Sequence, residues 1–115
     1  CSAAFVVPAG AAPSARLARA RPRLRSCDIS GVADRLGPTE VTSLKVAGLR
    51  CGRGIRVVRA FHVCRLKNGP SGRCVRLVQG YACMEQRLTG PTEFTAAVTC
   101  RKRSATVTHR YRQVL

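Results

Sequence analysis

The chain is 115 residues long and carries 21 Lys and Arg against five Asp and Glu, for a net charge of +16. That length excludes a large core and points to one small domain. The charge favours anionic partners such as nucleic acid, anionic lipid or acidic cell-wall polymer, and basic residues interrupt every later apolar run before it is long enough to cross a bilayer as a helix.

Residues 1–20 read as the later part of a truncated signal peptide. Cys1 to Ala15 is apolar and rich in small residues but too short and too broken by proline to span a membrane. Ala9-x-Ala11 and Ala18-x-Ala20 each present the small-x-small pattern that a signal peptidase tolerates. A rival reading makes Cys1 the lipid-modified first residue of a lipoprotein, although the upstream residues that would mark it are not in the sequence. Residues 21–26 are expected to be a basic flexible arm, because Arg16, Arg19, Arg21, Arg23 and Arg25 punctuate a Pro-containing segment without an acidic residue. Residues 27–115 then form a single disulfide-rich domain.

Cys27 to Pro38 contains Gly31, Gly37 and Pro38 and is expected to be irregular or briefly extended. A strand follows over Glu40 to Leu49, where Leu44 and Val46 alternate with Ser43, Lys45 and Ala47. Arg50-Cys51-Gly52 breaks it. The spacing of Val57, Val58, Phe61 and Cys64 predicts a helix over Arg53 to Leu66, with Asn68-Gly69-Pro70 as its stop. Three more strands are predicted, at Arg76 to Cys83, Glu93 to Cys100 and Ser104 to Arg112. The last two form an antiparallel hairpin, and Leu88-Thr-Gly-Pro91 marks a longer loop before them. The expected fold is α+β, one helix packed on a small antiparallel sheet of about four strands and stapled by disulfides.

Cys27, Cys51, Cys64, Cys74, Cys83 and Cys100 form an even set in a short chain with a secretory start, which predicts a disulfide framework outside the cytoplasm. Of about fifteen possible pairings, spacing favours one bridge. Cys64 at the helix end and Cys74 beyond the turn-rich Lys67 to Gly72 segment close a local loop worth about 3 kcal/mol on the chain-entropy estimate. The other four stay open. Zinc is disfavoured, since no C-x2-C pair occurs and His62 and His109 lie far from suitable cysteine spacings.

No catalytic constellation is visible, and no cofactor is expected. Thiols that pair off leave none for His62 or His109 to activate. Asp28, Asp34, Glu40, Glu85 and Glu93 offer no close acid–base pair, Glu85 beside Arg87 reads as a surface ion pair, and His109 as a half-exposed sheet residue.

The candidate anion-binding residues are Arg53, Arg56 and Arg59 on the helix with Arg101, Lys102, Arg103, Arg110 and Arg112 at the final hairpin. Only Lys45, Lys67 and Lys102 are lysines, and arginine suits bidentate contacts to phosphate. The same bias also follows from GC-rich coding, in which case these groups are simply a solvated surface. Two Tyr, three Phe and no Trp provide no stacking platform, so sequence-specific nucleic-acid recognition is not expected. The expectation is a secreted or cell-surface, non-enzymatic, monomeric basic domain that binds anionic cell-envelope polymers non-specifically. The alternative is a cationic antimicrobial protein or a hydrolase inhibitor presenting Leu88 to Thr92. A basic amphipathic membrane helix is the weaker reading of residues 53–66, which are short and tethered by Cys51 and Cys64.

Leu44-Lys-Val-Ala-Gly-Leu-Arg-Cys51 before a helix, Gly80-Tyr-Ala-Cys83, and Ala97-Val-Thr-Cys100 with Val107 and Tyr111 beyond it resemble a group of small secreted disulfide-containing α+β domains of high-GC Gram-positive bacteria. The resemblance spans residues 27–115 and implies secretion and a disulfide-stapled α+β fold, with no catalytic signature. The group usually has a small residue where Gly54 stands and often a glycine at the hairpin, which Arg101-Lys-Arg-Ser104 lacks.

Overall fold

A computed structural model describes residues 23–30 and 39–115. The signal-like segment 1–20 and residues 31–38, with Asp34, lie outside the described residues. The elements are β1 (Arg25–Ser26), β2 (Glu40–Ala47), α1 (Cys51–Leu66), β3 (Ala82–Thr89), β4 (Glu93–Lys102) and β5 (Ala105–Val114). The strands form one sheet in the order β1-β2-β5-β4-β3, every pairing antiparallel. The fold is therefore α+β as expected, with five strands instead of about four.

Alternation along β4 and β5 decides which face is covered. Phe94, Ala96, Val98 and Cys100 of β4 and Val107, His109, Tyr111 and Gln113 of β5 are buried, while Thr95, Arg110 and Arg112 point the other way into solvent. The helix crosses the buried face against β2 and β5. Its inward stripe is Gly54, Val57, Val58, Phe61, His62 and Arg65, a helical repeat in which the last turn is polar. Cys64, expected on the apolar side, is only half-buried. Side chains such as Leu44, Phe61 and Val107 are almost fully enclosed, each contributing about 1.5–3 kcal/mol relative to exposure.

Two glycines set how closely the layers approach. A Cβ on Gly54 would lie 2.6 Å from Cγ1 of Val46, so the first turns of the helix rest directly on β2. A Cβ on Gly72 would lie 2.1 Å from the backbone oxygen of Arg65, so the loop after the helix folds back onto its last turn.

Three disulfides join Cys27 to Cys51, Cys64 to Cys74 and Cys83 to Cys100. The local bridge is the one spacing favoured. Cys27–Cys51 ties the chain after β1 to the first residue of α1, and Cys83–Cys100 joins residues directly opposite in the β3–β4 register.

Several local expectations are corrected. The helix begins at Cys51, the residue read as a strand break. Arg25 and Ser26, assigned to the arm, pair with Val46 and Lys45 as an edge strand. The strand placed at Arg76 to Cys83 is shifted to Ala82–Thr89, and only a Val78–Tyr81 bridge remains of the earlier part. With β3 running to Thr89, the expected Leu88 to Pro91 loop shrinks to a tight turn closed by Gly90 N–H donating to Glu93 O at 2.8 Å. At the β4–β5 turn Arg103 takes the left-handed conformation, φ 56°, the region that favours glycine.

Candidate functional site

The expected anion-binding residues are all exposed, but the fold does not gather them into one patch. Arg53, Arg56 and Arg59 lie on α1 away from the sheet. Arg101, Lys102 and Arg103 occupy the end of β4 and the turn beyond it. Arg110 and Arg112 project from the opposite sheet face, since they alternate with buried His109 and Tyr111. Arg112 is engaged by Glu40 at 2.8 Å and by Glu93 at 3.6 Å. Lys102 Nζ lies 5.7 Å from the Tyr81 ring centre.

Two depressions accompany these cations. A groove of about 380 Å³ runs between α1 and residues 76–79, with Arg56, Lys67 and Arg76 around an aliphatic lining of Ala60, Val63 and Leu77. A larger and more enclosed trough of about 640 Å³ crosses the outer sheet face, where the small side chain of Ala97 lies in register between Gln86 and Arg110.

A second cluster was not anticipated. Arg65, 0 % exposed, donates from Nε to His62 Nδ1 at 2.8 Å, from Nη1 to Pro70 O at 2.8 Å, and from Nη2 to Thr39 Oγ1 at 2.8 Å and Gln113 Oε1 at 2.9 Å. Its guanidinium lies 4.4 Å from the Tyr111 ring centre. Because His62 Nδ1 accepts, its proton is on Nε2, which donates to His109 Nε2 at 3.0 Å. His109 therefore carries its proton on Nδ1, which is the one buried side-chain polar atom without a hydrogen-bond partner among the described residues.

Both rings are held neutral. Burial, then His109 and Arg65, push His62 down to about 2, and burial followed by Arg65 pushes His109 down to about 3. Burial also lowers Arg65. Burial and the hydrogen bond to Glu85 raise Tyr111, keeping its hydroxyl a donor.

Glu85 and Arg87 overturn the surface ion-pair reading. Their side chains are 7 % and 9 % exposed, and the Arg87 Nε donates to Glu85 Oε2, which also accepts from Tyr111 at 2.7 Å. Arg87 further donates to Ser71 O at 2.8 Å and Gly72 O at 2.6 Å. His109 is likewise corrected: it is 1 % exposed, not half-exposed. These groups lock α1, the loop after it, β3 and β5 together, and their burial keeps solutes from the imidazoles in this conformation.

All six cysteines among the described residues are consumed in bridges. Among the same residues no group of three or more His, Cys, Asp or Glu is placed to hold a metal, and no helix is long and apolar enough to cross a membrane. Compared with protein-family models, curated proteins and solved structures, the chain matches none.

Proposed function

We propose that this is a small secreted, non-enzymatic basic domain that binds anionic cell-envelope polymers by charge, without reading a particular monomer. One observation carries the reading. Arg53, Arg56, Arg101, Arg103 and Arg110 are exposed and face solvent without a carboxylate partner among the described residues, unlike Arg87 and Arg112. Their spread over helix, hairpin and outer sheet face suits a flexible polymer that contacts several sides, and guanidinium groups need no cofactor for that task. Three cross-links in so small a domain suit an oxidising compartment, as does the resemblance to small secreted bacterial domains.

Retention of the oxidised domain on immobilised polyphosphate or teichoic acid tests the proposal. With about six phosphate contacts, affinity is expected to fall about 10³-fold or more between about 50 and 200 mM salt. Replacing Arg53, Arg56, Arg101, Arg103 and Arg110 with Gln should flatten that slope. Binding indifferent to salt, or unchanged in the Gln variant, would leave these arginines as solvated surface only.

A further inference from the structure

Exposed aliphatic side chains flank the Cys64–Cys74 bridge. Val63 and Val75 adjoin its two half-cystines, whose Cα atoms are 5.3 Å apart, and they are 57 % and 94 % exposed. Leu77, 63 % exposed, lines the same groove as Val63. Single exposed aliphatics are ordinary on a protein surface, whereas several exposed near one another and rimmed by polar residues are the feature expected of an interaction surface. The bridge and the Gly72 contact with the last helical turn fix the loop, so Val75 and Leu77 stay outside the core.

Among the described residues, the charged side chains lining the groove are all basic. Arg56, Lys67 and Arg76 line the groove, Arg73 precedes Cys74, and the sequence has no acidic residue between Glu40 and Glu85.

We propose that this face docks on an anionic phospholipid bilayer, with Val63, Val75 and Leu77 entering the interfacial layer and Arg56, Lys67, Arg73 and Arg76 meeting the headgroups. Charge complementarity selects the occupant. An uncharged apolar partner would strip water from four cations without replacing it, and a second copy of the chain would bring like charges together. An anionic bilayer offers acyl chains and phosphates at adjoining depths. The helix does not insert, because its apolar side, Val57, Val58 and Phe61, is closed in the core. Docking therefore differs from an amphipathic helix lying in the membrane. It also goes beyond polymer binding by adding an apolar contribution that salt does not screen.

The experiment is co-sedimentation of the oxidised domain with vesicles of phosphatidylglycerol and phosphatidylcholine, and with phosphatidylcholine alone, in about 150 mM salt. Polyphosphate retention and sedimentation equilibrium are measured on the same samples, and circular dichroism checks each variant's fold. The domain is expected on the anionic vesicles only. The double variant Val75→Ser, Leu77→Ser should bind them about tenfold more weakly or worse and keep its polyphosphate retention. Arg73→Gln with Arg76→Gln should weaken vesicle binding as well. Docking is overturned if the Ser variant binds vesicles as the parent does, if anionic vesicles fail to bind, if neutral vesicles bind equally, or if the patch instead mediates self-association. Vesicle binding that persists without polyphosphate retention would remove the polymer reading and leave the docking surface standing.

Discussion

Arg65 satisfies its buried charge with neutral partners. Four acceptors, one each from α1, the loop after it, the residue before β2 and the end of β5, converge on one guanidinium, and no carboxylate contacts it. Removing that guanidinium strands several acceptors in the core. Arg65→Met is expected to cost about 3 kcal/mol or more in urea unfolding, and Arg65→Lys most of that, because an ammonium cannot supply the planar fork. A loss below about 1 kcal/mol for the Met variant would show that the network does not hold the helix end. The histidines add a pH dependence. Their folded values, about 2 and about 3, lie below the ordinary 6.5, so below about pH 6.5 the unfolded chain takes up protons that the native state refuses. Stability is then fully present above about pH 6.5 and declines by about 1 kcal/mol per pH unit for each histidine as pH falls. Urea midpoints should drop between pH 7 and 5; a flat profile would contradict the neutral assignment. His62 and Arg65 were visible in principle, since they continue the Val58–Phe61 side at helical spacing. Their residue types argue for solvent, and only the convergence of distant Thr39 and Gln113 reverses that.

Among the elements, α1, β2, β4 and β5 follow the sequence pattern closely because apolar residues recur at each element's own period, although His62 and Arg65 share the buried face of α1 and His109 and Gln113 that of β5. β3 does not. Met84 and Leu88 are 72 % and 79 % exposed, while Glu85 and Arg87 face inward, so the strand is written inside out. A period-two reading rejects such a segment and shifts the strand upstream. The inversion suits an edge strand, where inward charges discourage pairing with another sheet. It also hid the Cys83–Cys100 pairing, which needs the correct register of β3. The candidate cations were legible as residue types, but their division over two faces depended on the β5 pleat and the helix position. Helix-to-sheet distance is the other property of the elements that sequence alone leaves open. Gly54→Val is expected to destabilise the domain by about 2 kcal/mol, since the Val46 it would strike is fully buried. Thermal or urea unfolding checks this, and a neutral outcome would mean that the layers can separate without cost.

For the whole molecule, the cross-links fall into two groups. Cys27–Cys51 and Cys64–Cys74 lie within one stretch of chain and Cys83–Cys100 within another, so no bridge among the described residues spans residues 75–82. The first stretch supplies β1, β2 and α1, and the second supplies β3, β4 and β5. They meet at the β2–β5 ladder, at the His62–His109 and Arg65–Gln113 contacts, and where Arg87 grips the carbonyls of Ser71 and Gly72. A single proteolytic nick at exposed Arg76 would therefore yield two oxidised fragments with no covalent tie, cohering through a non-covalent seam. Trypsin-nicked protein should migrate intact on a native gel and fall apart in denaturant without reductant. Recombining separately purified halves would then turn the domain into a complementation pair, assembled by strand exchange across one sheet seam.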